Sequence, residues 1–246
     1  MKVVSINIIA TNKYIIFLPD LIKSIDDFLF KDSTILIIVH TNSNIDEINS
    51  GSPRIKILKN KIEHEPWPYT TLKRFHYFNK AKDLIEKSDY SFYIDADSLF
   101  IGEMKEEFLP TGGMLGTIHP CFFLGNGTPE RNHRSKAFIS FSENNRYFCG
   151  GFFGGDFKSF LKMSEKICSN IDEDLSKGII AIWHDESHIN RFFLDNPPNF
   201  IMEPPFAVAE SLTQRYELSK ILFLDKKLKG GHDFFRDQFL NSNEKN

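Results

Sequence analysis

Two acidic stretches hold the residue types best suited to chemistry. Asp95-Ala96-Asp97 follows Phe92-Tyr93-Ile94, an aromatic and β-branched run that reads as a buried strand. Ligands of open α/β sheets gather beyond the carboxyl ends of the strands. An Asp-X-Asp placed there offers oxygen ligands to a hard cation, Mg²⁺ or Mn²⁺, with substrate phosphates completing the shell. Such pairs also occur in plain turns and strand ends. The second stretch is Ile182-Trp183-His184-Asp185-Glu186-Ser187-His188. It suits a helix N-terminus whose acidic residues complement the dipole. It also suits a zinc site, because His184 and His188 lie four apart on one helical face, although the metalloprotease pattern needs Glu where Asp185 stands. In a third reading Glu186 is a catalytic carboxylate, Trp183 a flat surface for a sugar ring, and Asp185 an acceptor of hydrogen bonds from sugar hydroxyls.

Other features narrow the classes. Phosphatases of the haloacid dehalogenase type also carry Asp-X-Asp after a strand, but near the N-terminus and followed by Thr or Val. Here the pair sits at residue 95 and continues Ser98-Leu99. Phe148-Cys149-Gly150-Gly151-Phe152-Phe153-Gly154-Gly155 sets two glycine pairs among aromatics, which suggests close approach of backbone or ligand. It is not the Gly-X-Gly-X-X-Gly of a nicotinamide site. Lys226 to Arg236 gathers four basic residues and His232, either a solvated end or a lid whose cations neutralise a diphosphate.

The net charge of −3 gives no general field for nucleic acid. Cys121, Cys149 and Cys168 are odd in number and lack Cys-X-X-Cys spacing, so neither a disulfide framework nor a structural zinc is expected, and a reducing cytosol fits. The apolar N-terminus is broken by Ser5 and Asn7 and reads as a strand rather than an export signal. No run approaches the roughly 18 apolar residues of a membrane span.

These groups need a scaffold, and 246 residues suffice for one large α/β domain. Strands are expected at Val3–Ala10, Thr34–Val39, Ile55–Leu58, Phe92–Ile94 and Met114–His119, with a loop at Thr11–Tyr14. Helices are expected after Pro19-Asp20, after a Thr70 or Thr71 cap, over Phe157–Ile171 and over His184–Phe193. The β/α alternation of the first hundred residues argues for a parallel sheet. After Phe239 a polar, disordered tail is expected.

Together the stretches resemble glycosyltransferase family 6, the retaining α1,3-transferases that include the histo-blood-group A and B enzymes and α1,3-galactosyltransferase. The resemblance rests on Ala10-Thr11-Asn12-Lys13-Tyr14, Trp67 with Leu72-Lys73-Arg74-Phe75, Asp95-Ala96-Asp97, Gly116 to Pro120, Thr128-Pro129-Glu130-Arg131, the glycine pairs, and Trp183 to Asn190, all in the family's order. It implies a single-domain GT-A fold over residues 1–239, with a Rossmann-like, mostly parallel sheet. Its parts would be a nucleotide-binding half (1–100), an acceptor half (101–225) and a phosphate-binding lid (226–239) before the tail at 240–246. By position, Ala10, Thr11 and Tyr14 would hold uridine, Arg74 would sit beside the donor sugar, Asp95 and Asp97 would hold Mn²⁺, or Mg²⁺, against the diphosphate, and Ala96 between them would contact the donor. Gly150, Gly151 and Asp185 would face the donor sugar, and Lys229 and Arg236 the phosphates. His119, Thr128, Cys149 and Trp183 would line the acceptor site with Asp185 and Glu186, and Glu186 would face the anomeric carbon.

Departures from the pattern sharpen the expectation. Bacterial relatives that work without metal carry Asn-X-Asn, whereas this chain keeps both carboxylates, which predicts metal dependence. Thr128-Pro129-Glu130-Arg131-Asn132 replaces the family's Thr-Tyr-Glu-Arg-Arg. Gly151 favours UDP-N-acetylgalactosamine over UDP-galactose, while Cys121 matches neither donor type. A galactose-ended acceptor is implied, carrying α1,2-fucose and in some settings lipid-linked, with the enzyme in the cytoplasm or at the inner membrane face. A nucleotide-sugar hydrolase and an inactive UDP-sugar-binding protein are the alternatives from other classes.

Overall fold

Val3–Ile9 (β1) is buried on both faces, as an inner parallel strand must be, and is apolar except for the buried Ser5 and Asn7. The computed structural model describes residues 1–122, 127–143, 146–211 and 218–236, so the tail expected at 240–246 lies outside the described residues. A 3-10 turn over Asn12–Phe17 replaces the expected loop. Helix α1 (Leu18–Phe28) then carries Pro19 and Asp20 in its first turn and buries Leu21, Ile22 and Ile25. Strands β2 (Thr34–Thr41) and β3 (Ile55–Lys61) follow.

The one helix expected after residue 70 is three short ones: α2 (Tyr69–Leu72), α3 (Arg74–Lys80) and α4 (Lys82–Ile85). Lys73 and Ala81, at the two breaks, leave helical geometry with ψ of 15° and 14°. Neither threonine caps the helix. The Thr70 hydroxyl donates instead to the Glu65 carbonyl, which holds the preceding loop. Leu72, Phe75, Phe78 and Ile85 are buried as the periodicity requires.

The second half contributes β4 (Tyr90–Ile94), β5 (Ser98–Phe100), β6 (Met114–Ile118), β7 (Phe148–Asp156), α5 (Phe157–Ser176) and α6 (His184–Asp195). The short strands β8 (Phe200–Met202), β9 (Ala207–Ala209) and β10 (Ile221–Phe223) precede α7 (Gly231–Arg236). Seven strands form a mostly parallel sheet in the order β3-β2-β1-β4-β7-β6-β8, flanked by helices, the mixed α/β arrangement of a GT-A-like fold. Strands β3, β2, β1 and β4 are parallel, and β7 runs antiparallel to β4 and β6. A second sheet, β5-β10-β9, joins the chain just after Asp97 to the C-terminal segment.

Strand alternation divides the phenylalanines between two cores. Phe92 stacks on Phe152 at 5.7 Å on the α1 side, while Tyr93 and Phe153 pack with Phe75, Phe78 and Phe160 on the other. The glycine pairs in β7 serve close approach. A Cβ on Gly154 would lie 2.2 Å from the Phe92 ring, and one on Gly155 would lie 2.2 Å from the Gly113 carbonyl.

Candidate active site

A cleft of about 290 Å³ opens at the carboxyl ends of β1 and β4, where an α/β sheet is expected to bind ligands. Thr11, Tyr14, Arg74, Asp95, Ala96, Asp97, Gly150, Gly151, Trp183, Asp185 and Glu186, all singled out from the sequence, line it together. They come from the segments just beyond β1 and β4, from α3 and β7, and from the entry and first turn of α6. The structure thus brings the two acidic stretches into one cavity.

Arg74 connects them. Its Nη1 donates to the Gly150 carbonyl, its Nη2 lies 3.5 Å from Asp95 Oδ1, and its guanidinium stacks 4.0 Å from the Tyr93 ring centroid. Its Nε lies 3.0 Å from Asp185 Oδ2, an ion contact without hydrogen-bond alignment. The Tyr93 hydroxyl donates to Asp95 Oδ1 at 2.6 Å. Burial raises Asp185 to about 6, with Arg74 opposing the shift.

Glu186 is held differently. The Gly150 N–H donates to Oε2 at 2.8 Å, and the Tyr147 hydroxyl donates to Oε1 at 2.8 Å. Burial still raises the carboxyl to about 7, against those two donors. The carboxylate is therefore poised to change charge near neutral pH. Helix α6 is fixed to β7 by Asn190, which donates to the Phe148 carbonyl at 2.9 Å and accepts from the Phe148 N–H at 2.8 Å. Ahead of α6, Glu130 accepts from Ile182 N–H at 2.7 Å, and His184 takes the left-handed φ of 51°. Zinc ligation by His184 and His188 finds no support, since His188 is buried beside Asp174 at 3.7 Å while His184 faces the cleft.

At the other acidic stretch, Lys226 pairs with Asp97 Oδ2 inside the cleft. Burial raises Asp97, with Lys226 opposing the shift. Lys226 thus stands as a built-in cation at the expected metal position, and two carboxylates there fit a hard divalent ion.

Several expected residues lie elsewhere. Ala10 is buried in β1's end, where its N–H bonds the His40 carbonyl, and only its neighbours reach the cleft. Cys149 is buried, with its thiol pushed up to about 12 by burial and then Glu186. His119 packs on Tyr147 at 5.9 Å, one step behind Glu186, and burial lowers it to about 4. Thr128 and Lys229 are exposed and outside the cleft lining, and the side chain of Arg236 lies outside the described residues. Gly151, read from the sequence as favouring the N-acetylated donor, has Phe223 against it: a Cβ there would lie 2.6 Å from that ring. Sequence reading missed Tyr147, Lys226 and the His64–Thr71 wall. For Lys226 the signal existed in the basic cluster; for Tyr147 there was none.

The family model of glycosyltransferase family 6 matches residues 2–232. Rat histo-blood group ABO system transferase 1 is 25% identical over 216 residues, covering 85% of this chain and 62% of that protein. Human globoside alpha-1,3-N-acetylgalactosaminyltransferase 1 is 26% identical over 234 residues, covering 92% and 67%. The O-antigen biosynthesis glycosyltransferase WbnI of Escherichia coli is 30% identical over 146 residues, covering 58% and 62%. The chain thus spans about three fifths of the rat relative's length. Among the described residues no helix is long and apolar enough to cross a membrane.

Proposed function

The chain belongs to glycosyltransferase family 6, and from that premise we propose that it is a retaining α1,3-transferase moving N-acetylgalactosamine from UDP-N-acetylgalactosamine to the 3-hydroxyl of a galactose acceptor. The observation carrying this reading is the single cleft that joins Asp95, Arg74, Asp185 and Glu186. A diphosphate placed along Asp95 and Asp97 would set the donor sugar toward Arg74 and Asp185, with its anomeric carbon toward Glu186. Asp95 and Asp97 would hold Mn²⁺, with Mg²⁺ as the alternative, which when bound neutralises the departing UDP without proton transfer. Arg74 fixes Asp185 and Asp95 relative to each other, so the sugar and diphosphate subsites keep one spacing. Glu186 works as the carboxylate in both retaining routes, attack on the anomeric carbon and stabilisation of an oxocarbenium-like ion. Tyr147 and the Gly150 N–H aim its oxygens and favour the ionised form. Trp183, 45% exposed at the rim, offers a stacking face to the acceptor sugar.

The N-acetylgalactosamine choice draws on glycine at 151 and on the similarity to the human globoside alpha-1,3-N-acetylgalactosaminyltransferase 1, and the α1,2-fucosylated galactose acceptor on the Gly150-Gly151 pair. The test is UDP release from UDP-N-acetylgalactosamine and UDP-galactose, with Mn²⁺ or chelator, with and without 2′-fucosyllactose. The proposal expects Mn²⁺-dependent release that rises with acceptor and is faster for the N-acetylated donor. Faster use of UDP-galactose would make the enzyme a galactosyltransferase. Release indifferent to 2′-fucosyllactose would point to a hydrolase or to a different acceptor, and either would overturn the fucosylated-acceptor reading. Gly151→Ala should move the donor ratio toward UDP-galactose, with Phe223 displaced by the new methyl; an unchanged ratio would remove Gly151 from donor choice.

A further inference from the structure

Among the described residues the C-terminal segment lines the cleft with Lys226 and Phe235, and the lysine is fixed from several directions. The Leu224 N–H donates to the Asp97 carbonyl at 2.9 Å, and the Asp225 N–H donates to Glu210 Oε2 at 2.8 Å. The Asp225 carboxylate accepts from the Lys227 N–H at 2.9 Å, capping the 3-10 turn Lys226–Lys229. Lys226 thereby projects from a pinned turn onto Asp97 Oδ2, with its side chain 20% exposed and that of Asp97 11% exposed. Its Nζ also lies 5.8 Å from the Tyr14 ring. Farther on, Phe235 packs on Tyr14 and Phe17 at 5.0 and 5.2 Å, and Lys13 Nζ donates to the Phe234 carbonyl at 2.9 Å. The segment thus lies along the cleft beside Tyr14 and Phe17, with Lys226 as its charged inward contact.

One enclosed carboxylate oxygen cannot keep direct contact with an ammonium and also bind a divalent cation. The two positive charges would come within a few ångströms of each other, where little water screens them. We propose that Lys226 is a resident counter-ion of Asp97 that a divalent cation must displace, so that metal entry releases the Lys226–Lys229 turn from the cleft. The proposal rests on the reading of Asp95 and Asp97 as the metal site. Competition of this kind is reciprocal: whatever loosens the turn raises metal affinity, and metal loosens the turn. The C-terminal segment would then sense the ion before any donor is bound.

Mn²⁺ binding to the full chain without donor, followed by the electron paramagnetic resonance signal of the free ion, tests it. Lys226→Met should bind Mn²⁺ about tenfold more tightly than the parent, while Lys226→Arg, which keeps the charge, should stay near the parent. Hydrogen exchange at residues 224–229 should quicken when Mn²⁺ is added to the parent and be fast already, and unresponsive, in Lys226→Met. Equal Mn²⁺ affinity of parent and Lys226→Met, with loss of binding in Asp97→Asn, would overturn the exchange while leaving the metal reading in place. Weaker binding by Lys226→Met would mean that the lysine orders Asp97 rather than competes for it. Binding by none of these proteins would overturn both readings together.

Discussion

At the end of β4 each carboxylate meets a cation, Asp95 at Arg74 and Asp97 at Lys226, whereas Glu186 across the cleft is held by a backbone N–H and a phenol. Between them Asp185 leans on the far side of the same Arg74. The two regions share residue type and cavity but differ in counter-charge. Where a cation is supplied it opposes the upward push of burial, as Lys226 does at Asp97 and Arg74 at Asp185, and one cation can be exchanged for another. Where only neutral donors are supplied, burial dominates and the group titrates near neutrality, at about 7 for Glu186. The first arrangement suits holding a charged leaving group, and the second suits a charge needed next to a transient positive carbon.

The sharpest way to break this comparison is Glu186→Gln. It keeps the shape and removes the charge, and turnover should fall by about 10³-fold while UDP binding changes little. Steady-state UDP release and calorimetric UDP titration would show it, and near-parent turnover would strip Glu186 of its role. Next, Asp95→Asn and Asp97→Asn should each lower turnover by about 10²-fold and abolish the response to Mn²⁺ and chelator. Activity that ignores chelator in the parent would end the metal assignment.

Tyr147→Phe should have a smaller effect with a distinctive signature. The Tyr147 hydrogen bond favours the carboxylate, so its loss should raise the Glu186 pKa further. The acidic limb of the rate profile should move upward from about 7, costing roughly tenfold at pH 6.5 and much less at pH 8.5. A uniform loss at all pH values would show that Tyr147 only supports the fold. The smallest effect concerns stability. The folded pKa of Glu186 is raised from 4.5 to about 7, so the unfolded chain gives up this proton first, and the group destabilises the fold as pH rises through about 7. Below 4.5 that penalty is absent. Glu186→Gln should thus be more stable than the parent at pH 8 by on the order of 1–3 kcal/mol, with the gain shrinking toward pH 4. Thermal melts across that range would detect it, and a gain that does not vary with pH would contradict a raised pKa.

Much of the frame was legible because it is written in local periodicity. The strands around Ile6, Ile37 and Phe92 and the α1 stripe of Leu21, Ile22 and Ile25 each follow from spacing alone. The break after Leu72 was not, since it depends on Thr70 bonding back to the Glu65 carbonyl rather than capping a longer helix. Family 6 membership was legible as well, from motifs whose order along the chain survives at 25–30% identity.

By itself, then, the amino-acid sequence determined the β/α alternation, the two acidic stretches, and the glycine pairs that let β7 pass close to its neighbours. Only the tertiary structure decided that Lys226 rather than Lys229 enters the cleft, that Tyr147 holds Glu186, and that Phe223 covers Gly151. The physical reason lies in range. Hydrophobic period and backbone preference act between near neighbours, so they can be read along the chain. Which cation meets which carboxylate depends on strand register, here on β10 pairing with β5 just beyond Asp97, and no spacing within either segment encodes that meeting.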